Sequence, residues 1–260
     1  MAKPDSILIR IERRDGPEAP AHWDEFKVPY TKNANVISVL MDIQRNPVTT
    51  AGKRVPPPVW DQACLEEVCG SCTMNVNGHV RQACSALIDR LEQPITLQPM
   101  KKFPLVRDLC VDRQKMFDAL KRVRAWIPID GTYDLGPGPR VPPEDQEINY
   151  VLSTCMTCGC CLEVCPQVSQ TTAFIGPAAI SQVRLFNNHP TGKMNASERL
   201  HALMPRGGIN DCGKAANCVK ACPKGIPLTS SIAEMARATT GQALKDLFFR
   251  DERKAGSGPG

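Results

Sequence analysis

Residues 64–84 read CLEEVCGSCTMNVNGHVRQAC, and this stretch decides the fold of the first part of the chain. Three of its cysteines have the spacing C-x4-C-x2-C and a fourth ends it; they are Cys64, Cys69, Cys72 and Cys84. Thiolates at this spacing can surround a [2Fe–2S] cluster, whereas four so close together cannot all reach disulfide geometry. Structural zinc is the alternative, but zinc ribbons favour two separated C-x2-C knuckles and only one occurs here. We therefore predict a [2Fe–2S] site.

The residues before this loop predict two paired strands and a helix. Apolar side chains alternate with polar or outward-facing ones over residues 7–11 and again over 26–30, which is the period of a strand. The apolar spacing then becomes helical over residues 36–43, with Asn35 as the candidate N-cap.

The residues after the loop predict a hairpin. Asn77-Gly78 is a strong hairpin signal because both turn residues need positive φ, and the returning strand would bring Cys84 beside Cys72. The order strand, strand, helix, cysteine loop and hairpin is that of a β-grasp ferredoxin. We therefore predict a plant-type [2Fe–2S] ferredoxin-like domain over residues 1–105.

From residue 106 to residue 260 the pattern is mainly helical. Apolar spacing predicts a helix from Asp112 to Ile127, and further helices near 178–186, 196–204 and 229–249. Two segments should lack long helices: the Pro- and Gly-rich stretch 128–145, and the small residues 255–260, which we expect to be disordered. The fold class is then α+β, a β-grasp domain followed by an all-helical, bacterial-ferredoxin-like domain.

Two further cysteine groups occupy this helical part. The second group reads C-x2-C-x2-C-x3-C-P from residue 155, and the third reads C-x5-C-x3-C-P from residue 212. In two-cluster ferredoxins the first three cysteines of such a run bind one cluster, and the fourth binds the other. This crossing rule assigns a [4Fe–4S] cluster to Cys155, Cys158, Cys161 and Cys222.

The remaining cluster has only three cysteine ligands. A complete run ending at residue 222 would carry a cysteine at position 215, where this chain has Ala215. A corner iron without a protein ligand is readily lost, so we expect [3Fe–4S]; a [4Fe–4S] cluster with a non-cysteine ligand is the alternative. The predicted [3Fe–4S] ligands are Cys165, Cys212 and Cys218. Two cysteines are left over: Cys160 as a packed neighbour, and Cys110 as a small buried hydrophobe.

Composition excludes several other classes of protein. Thirteen cysteines without a recognisable export signal favour metal ligation over disulfides. The net charge of +5 is spread along the chain without a basic block, so we expect no nucleic-acid partner. No apolar run is long enough to span a bilayer. We find no phosphate loop, nucleophile elbow or paired carboxylates, and therefore expect no catalytic residue for organic chemistry on this chain.

The three groups together resemble the iron–sulfur subunit of succinate dehydrogenase and fumarate reductase, the respiratory complex II family. The resemblance includes CGSCTMNVNG, RDLCVDR and CPKGIPLT, and it covers nearly the whole chain. It implies a subunit of succinate dehydrogenase (quinone), in the tricarboxylic acid cycle and respiratory chain. Electrons would pass from the FAD of a flavoprotein subunit through [2Fe–2S], [4Fe–4S] and [3Fe–4S] to quinone. A membrane anchor, with or without haem b, would hold the chain peripherally at the cytoplasmic face of the cell membrane.

Some positions depart from that family. Its ubiquinone-reducing members carry tryptophan where this chain has Gln170, and histidine where it has Gly213. These two residues and Pro166 are the candidates for residues close to quinone, and the resemblance is greatest to the menaquinone-linked branch of Gram-positive bacteria. Fumarate reductase is the alternative function, and a free multi-cluster ferredoxin is a weaker one.

Overall fold

The computed structural model describes residues 5–128 and 140–248. Its backbone forms two compact units. The N-terminal unit comprises Met1–Gln114 with Met156–Val164, and the C-terminal unit comprises Lys115–Cys155 with Cys165–Gly260. The short segment 156–164, which carries part of the second cysteine group, thus packs with residues that lie far before it in sequence.

A five-stranded mixed sheet forms the centre of the N-terminal unit. Its strands are β1 (Ser6–Arg13), β2 (His22–Pro29), β3 (Thr73–Val76), β4 (His79–Gln82) and β5 (Ile95–Gln98), and their order across the sheet is β2-β1-β5-β3-β4. The two predicted strands are confirmed and pair antiparallel, with Ile9 opposite Phe26. β1 also pairs with β5 in parallel, and β5 pairs with β3 antiparallel. A small second sheet consists of β6 (Leu105–Arg107) and β7 (Cys110–Val111).

One helix covers the apolar face of this sheet. Helix α1 (Val36–Arg45) begins after Asn35, whose Oδ1 accepts the Ser38 N–H at 2.9 Å, so the predicted N-cap is confirmed. Leu40 of this helix and Ile11 of β1 are fully buried in one core. Burial of each such side chain contributes about 1.5–3 kcal/mol, and these contacts fix the sheet that carries the first cysteine loop.

The predicted hairpin is also confirmed. Asn77 has φ 49° and Gly78 has φ 78°, as a type I′ turn requires. The Asn77 side chain links the turn to its surroundings, since its Oδ1 accepts the Thr96 N–H at 2.7 Å and its Nδ2 donates to Glu92 O at 2.8 Å. This turn returns the chain through β4 to Cys84.

The described part of the C-terminal unit is helical. The predicted start of its first helix is confirmed, because Asp112 Oδ1 accepts the Gln114 N–H at 2.8 Å. The predicted end at Ile127 is wrong: the helix ends at Arg122, and Arg124 adopts a left-handed φ of 49° that interrupts helical geometry. The α-helices that follow α1 in the described ranges are α2 (Gln114–Arg122), α3 (Pro143–Ser153), α4 (Cys160–Glu163), α5 (Gly176–Asn188), α6 (Ala196–Leu203), α7 (Asn217–Ala221) and α8 (Leu228–Phe248). Of these, α4 lies in the N-terminal unit.

Helices α5, α6 and α8 confirm the predicted helical segments, and they pack against one another. Most of the predicted loop 128–145, residues 129–139, lies outside the described residues. Near the end of that segment, α3 begins at Pro143, since proline is tolerated in the first turn of a helix. Residues 255–260 also lie outside them. Across the two described ranges, every helix is too short or too polar to cross a membrane.

Candidate iron–sulfur cluster sites

The first cysteine loop, Cys64 to Cys72, turns its backbone amides towards sulfur. Leu65, Glu67 and Gly70 have φ values of 62°, 56° and 71°, and this left-handed backbone curls the chain. The Cys64 sulfur accepts the N–H of Glu66 and Val68 at 3.4 Å each, and that of Cys69 at 3.3 Å. The Cys69 sulfur accepts the Ser71 N–H at 3.4 Å. Such a concave set of amides stabilises negative charge on thiolates.

The four cysteines of this group come together in the N-terminal unit. The Ala83 N–H donates to Cys72 O at 3.1 Å, which places Cys84 beside Cys72 as the sequence predicts. Burial, together with a hydrogen bond with Cys72, raises the pKa of Cys84 to about 12. Burial also acts to raise the Cys69 pKa, but hydrogen bonds from Ser71 and with Cys64 outweigh it and lower that pKa to about 6. The group therefore has four convergent thiols, with backbone amides directed at the sulfurs of Cys64 and Cys69.

Gly70 lies against the second cysteine group. A Cβ atom on Gly70 would be 2.7 Å from the Cα of Cys158 and 2.8 Å from Met156 O, so only glycine fits. Its carbonyl oxygen accepts the Thr73 hydroxyl at 2.8 Å. The Arg113 guanidinium also donates to the carbonyl oxygens of Gly70 and Ser71. These contacts fix the loop between Cys69 and Cys72.

The turn 156–164 carries Cys158 and Cys161 of the second group. It is bound to the N-terminal unit through Glu163, whose carboxylate accepts the N–H groups of Lys101 at 2.8 Å and Lys102 at 3.1 Å. A hydrogen bond from the Cys160 thiol has the largest effect on the pKa of Cys158 and lowers it to about 7, although burial acts to raise it. The same hydrogen bond, followed by burial, raises the pKa of Cys160. Cys160 is thus a packed neighbour that also makes polar contacts.

The three cysteines predicted to bind [3Fe–4S] lie near one another in the C-terminal unit. Cys218 is buried on α7, and its pKa is raised first by burial and then by the charges of Cys165 and Cys212. Ala215 is exposed, between Lys214 with φ 56° and Ala216 with φ 59°. The group therefore has three thiols, and an alanine at the second position of the ferredoxin run.

Two of the predicted [4Fe–4S] ligands occur at helix ends of the C-terminal unit. Cys155 follows α3 and its N–H donates to Leu152 O at 3.3 Å, and Cys222 directly follows α7. All thirteen cysteines fall within the described residues and all are free of disulfides. In those ranges, no three Cys, His, Asp or Glu side chains converge tightly enough to hold a single metal ion. A cluster is wider than an ion, and the thiols and inward-facing amides of the first loop fit one.

A cavity of about 860 Å³ opens beside Cys212 in the C-terminal unit. Its lining includes Gly213, Gln167 and Arg206. A Cβ atom on Gly213 would lie 2.4 Å from the Gln167 Nε2, so the Gln167 side chain occupies the space that a larger residue at 213 would need. The other two predicted quinone-proximal residues, Pro166 and Gln170, are exposed in the same unit.

Sequence reasoning missed several contributors to these sites. Arg113 and Gln82 contact the cysteine loops, but an isolated Arg or Gln gives no motif; Arg113 could have been noticed only as the end of RDLCVDR. The interpretation of Cys110 as a simple hydrophobe is wrong. Its thiol is half-buried and donates to Asp61 Oδ2 at 3.3 Å, because β7 brings it beside that carboxylate.

Comparison with known proteins identifies two cluster-binding regions. Residues 8–118 match the family model of a 2Fe-2S iron-sulfur cluster binding domain. Residues 151–226 match that of a 4Fe-4S dicluster domain. Among solved structures, a chain of the Mycobacterium smegmatis Sdh1 complex in the apo form superposes with a TM-score of 0.73 at 21% identity, covering 92% of this chain and 98% of that one. This likeness shows the same fold.

Curated relatives match over nearly the full length. The chain is 59% identical to the succinate dehydrogenase iron-sulfur subunit of Bacillus subtilis, over 96% of this chain and 99% of that one. It is 30% identical to the fumarate reductase iron-sulfur subunit of Mycobacterium tuberculosis, over 94% and 97% of the two chains. Identity at that level over the whole length, with both cluster-binding models in the expected order, means that this chain belongs to the family of succinate dehydrogenase and fumarate reductase iron–sulfur subunits.

Proposed function

We propose that this chain carries electrons from a flavoprotein subunit to quinone through three clusters bound by its cysteines. As a succinate dehydrogenase iron–sulfur subunit it is an electron-transfer component with 2Fe-2S and 4Fe-4S domains. When bound, the clusters supply one-electron transfer, which amino-acid side chains alone do not. The ligand sets are Cys64, Cys69, Cys72 and Cys84 for [2Fe–2S]; Cys155, Cys158, Cys161 and Cys222 for [4Fe–4S]; and Cys165, Cys212 and Cys218 for [3Fe–4S].

The observation that carries this proposal is the convergence of the first group. Four thiols from two separate segments meet around backbone amides that already donate to two of the sulfurs. Amide donors of this kind stabilise the negative charge of a reduced cluster. The proximity of Cys218 to Cys165 and Cys212 supports the three-ligand site in the same way.

The quinone end of the path is proposed to involve the cavity beside Cys212. Its volume of about 860 Å³ is in the range of small-molecule sites. Gly213 lines it, and Pro166 and Gln170 are the other candidates. Because Gln170 and Gly213 differ from the residues of ubiquinone-reducing relatives, menaquinone is the quinone we favour.

The partners follow from the same assignment. The FAD subunit would deliver electrons, and a quinone-binding membrane anchor, with or without haem, would hold this chain peripherally at the cytoplasmic face of the cell membrane. Fumarate reductase is the second candidate function, favoured by identity of 29% to the Wolinella succinogenes fumarate reductase iron-sulfur subunit over 89% of this chain. The higher identity to the Bacillus subtilis subunit supports succinate oxidation as the first candidate.

The decisive experiment is electron paramagnetic resonance of the complex purified from membranes. We expect three distinct cluster signals, one of them a three-iron signal in the oxidised protein, together with succinate–quinone activity. Cys218→Ala should remove the three-iron signal and leave the [2Fe–2S] signal intact, and Cys110→Ser serves as the matched control that should change neither. A complex that shows only two cluster signals would contradict the proposal.

A further inference from the structure

Gln82 ends β4, two residues before Cys84, and its side chain is completely buried. Its Nε2 donates to the Thr73 hydroxyl oxygen at 2.8 Å and approaches the Cys160 sulfur at 3.5 Å. A carboxamide nitrogen carries two hydrogens, so one can serve each of these acceptors. Cys160 lies two residues after Cys158 and one before Cys161, on the turn that carries both.

The neighbouring hydroxyl determines which way the Gln82 carboxamide faces. The Thr73 hydroxyl uses its only hydrogen to donate to Gly70 O at 2.8 Å, so it can only accept from Gln82. This directs the nitrogen, and not the oxygen, of Gln82 towards Thr73 and the cysteines. The Gln82 oxygen is left buried without a hydrogen-bond partner among the described residues.

An unsatisfied buried oxygen costs free energy, and a methionine or leucine would fill the same space without that cost. The polar end of Gln82 therefore needs a compensating role. One of its N–H groups faces the sulfur of Cys160, which is 1% exposed, and the nearby Cys158 is 9% exposed. Gly70 also packs directly on Cys158, and the burial of both cysteines strengthens any charge–dipole interaction there.

We propose that Gln82 sets the reduction potential of the [4Fe–4S] cluster through the buried N–H that it directs at the Cys160 sulfur, on the turn that carries Cys158 and Cys161. This rests on the proposed function, in which Cys158 is a ligand of that cluster. The positive end of an N–H dipole buried beside a cluster stabilises the more negative, reduced state and raises the potential. Gln82 is thus a positioning residue for this cluster. It acts from the end of β4, two residues before Cys84, and Thr73 fixes the orientation of its carboxamide.

The test is a potentiometric titration, followed by electron paramagnetic resonance, of the complex in membranes. Gln82→Met keeps the volume but removes both N–H donors. We expect the [4Fe–4S] potential to fall by about 59 mV, a tenfold change in the equilibrium constant of this one-electron couple. The [3Fe–4S] potential should stay unchanged. The control is Gln98→Met on β5, which removes a carboxamide that donates to Glu12 Oε2 at 2.7 Å, and it should leave the [4Fe–4S] potential unchanged.

Thr73→Val provides a second test if Gln82→Met fails to assemble the cluster. It removes the hydroxyl that orients Gln82, and it should shift the [4Fe–4S] potential in the same direction but by less. An unchanged potential in an assembled Gln82→Met complex, or in Thr73→Val where the first variant does not assemble, overturns the inference. A wild-type complex without any [4Fe–4S] signal would instead refute the proposed function itself, so the two failures are distinguishable.

Discussion

The first and third cysteine loops use the same backbone device in different surroundings. Both contain residues with positive φ, which turn the chain tightly enough to bring cysteines together. In the first loop one of these positions is Gly70, which is packed against Cys158 with no room for a Cβ atom. In the third loop they are Lys214 and Ala216, whose side chains are exposed to solvent.

This difference separates two requirements on a ligand loop. Curling the chain costs strain at any non-glycine residue, and the third loop tolerates it at two positions. Where another segment's backbone packs against the loop, as at Gly70, no residue other than glycine fits. The first loop also supplies four thiols, whereas the third has Ala215 where the ferredoxin run would carry a cysteine. Gly70→Ala and Ala215→Cys test this comparison, each with a matched control. A third prediction, with the smallest expected effect, concerns a thiol outside both loops.

The largest effect is expected from Gly70→Ala. The new Cβ would be 2.7 Å from the Cys158 Cα, and alanine is strained at φ 71°. Strain of about 1–2 kcal/mol and overpacking of about 1–3 kcal/mol should together lower the free energy of unfolding by about 3 kcal/mol. Denaturant unfolding of the complex, followed by the visible absorbance of the [2Fe–2S] cluster, measures this.

Gly78→Ala is the matched control for that substitution. Gly78 has a similar φ of 78°, but within the described ranges no heavy atom beyond its chain neighbours lies within 4 Å of the position that its Cβ would take. It should therefore show the strain alone, about 1–2 kcal/mol. Equal losses at the two positions would mean that the packing against Cys158 contributes nothing.

A smaller effect is expected from Ala215→Cys. A fourth thiolate should convert [3Fe–4S] to [4Fe–4S], make the cluster more negative and lower its potential. We expect at least a tenfold less favourable electron transfer to this cluster, or about 59 mV for a one-electron couple. The measurement is loss of the three-iron resonance in the oxidised complex. The matched control, Ala216→Cys, should keep that resonance. Retention of the resonance in Ala215→Cys would show that position 215 cannot reach the cluster.

The smallest effect concerns Cys110, a thiol outside the ligand groups. Burial raises its pKa, and the hydrogen bond to Asp61 and the charge of that carboxylate add to this, to about 11. A raised thiol pKa favours the protonated form, so its stabilising effect is present below the ordinary pKa of 9.0 and is lost as pH rises towards about 11. Since the thiolate is the reactive form, alkylation of Cys110 by iodoacetamide should have its midpoint near that pH.

Asp61→Asn tests the cause of this shift. It should lower the alkylation midpoint, with Cys110→Ser giving the background from other thiols. A midpoint near 9 in the unsubstituted chain would mean that neither burial nor Asp61 perturbs the thiol.

Local patterns predicted the strands, the cap and the hairpin because each depends on neighbours in sequence. The alternation over β1, the Asn35 cap and the Asn77-Gly78 turn are all set by residues within a few positions. The end of α2 was mispredicted, because the left-handed Arg124 interrupts a spacing that stays apolar up to Ile127. The ligand sets, by contrast, remain predictions from spacing.

The sequence by itself determined the number and kind of cysteine groups, the family, and the order of the two cluster-binding regions, because ligand spacing is written along the chain. Only the tertiary structure decided that turn 156–164 packs with the N-terminal unit. It also revealed that Gly70 has no space for a Cβ atom, and that the Gln82 side chain contacts Cys160, which lies 78 positions later in the chain. Contacts between distant segments depend on how the sheet and turns pack, and no local pattern records them.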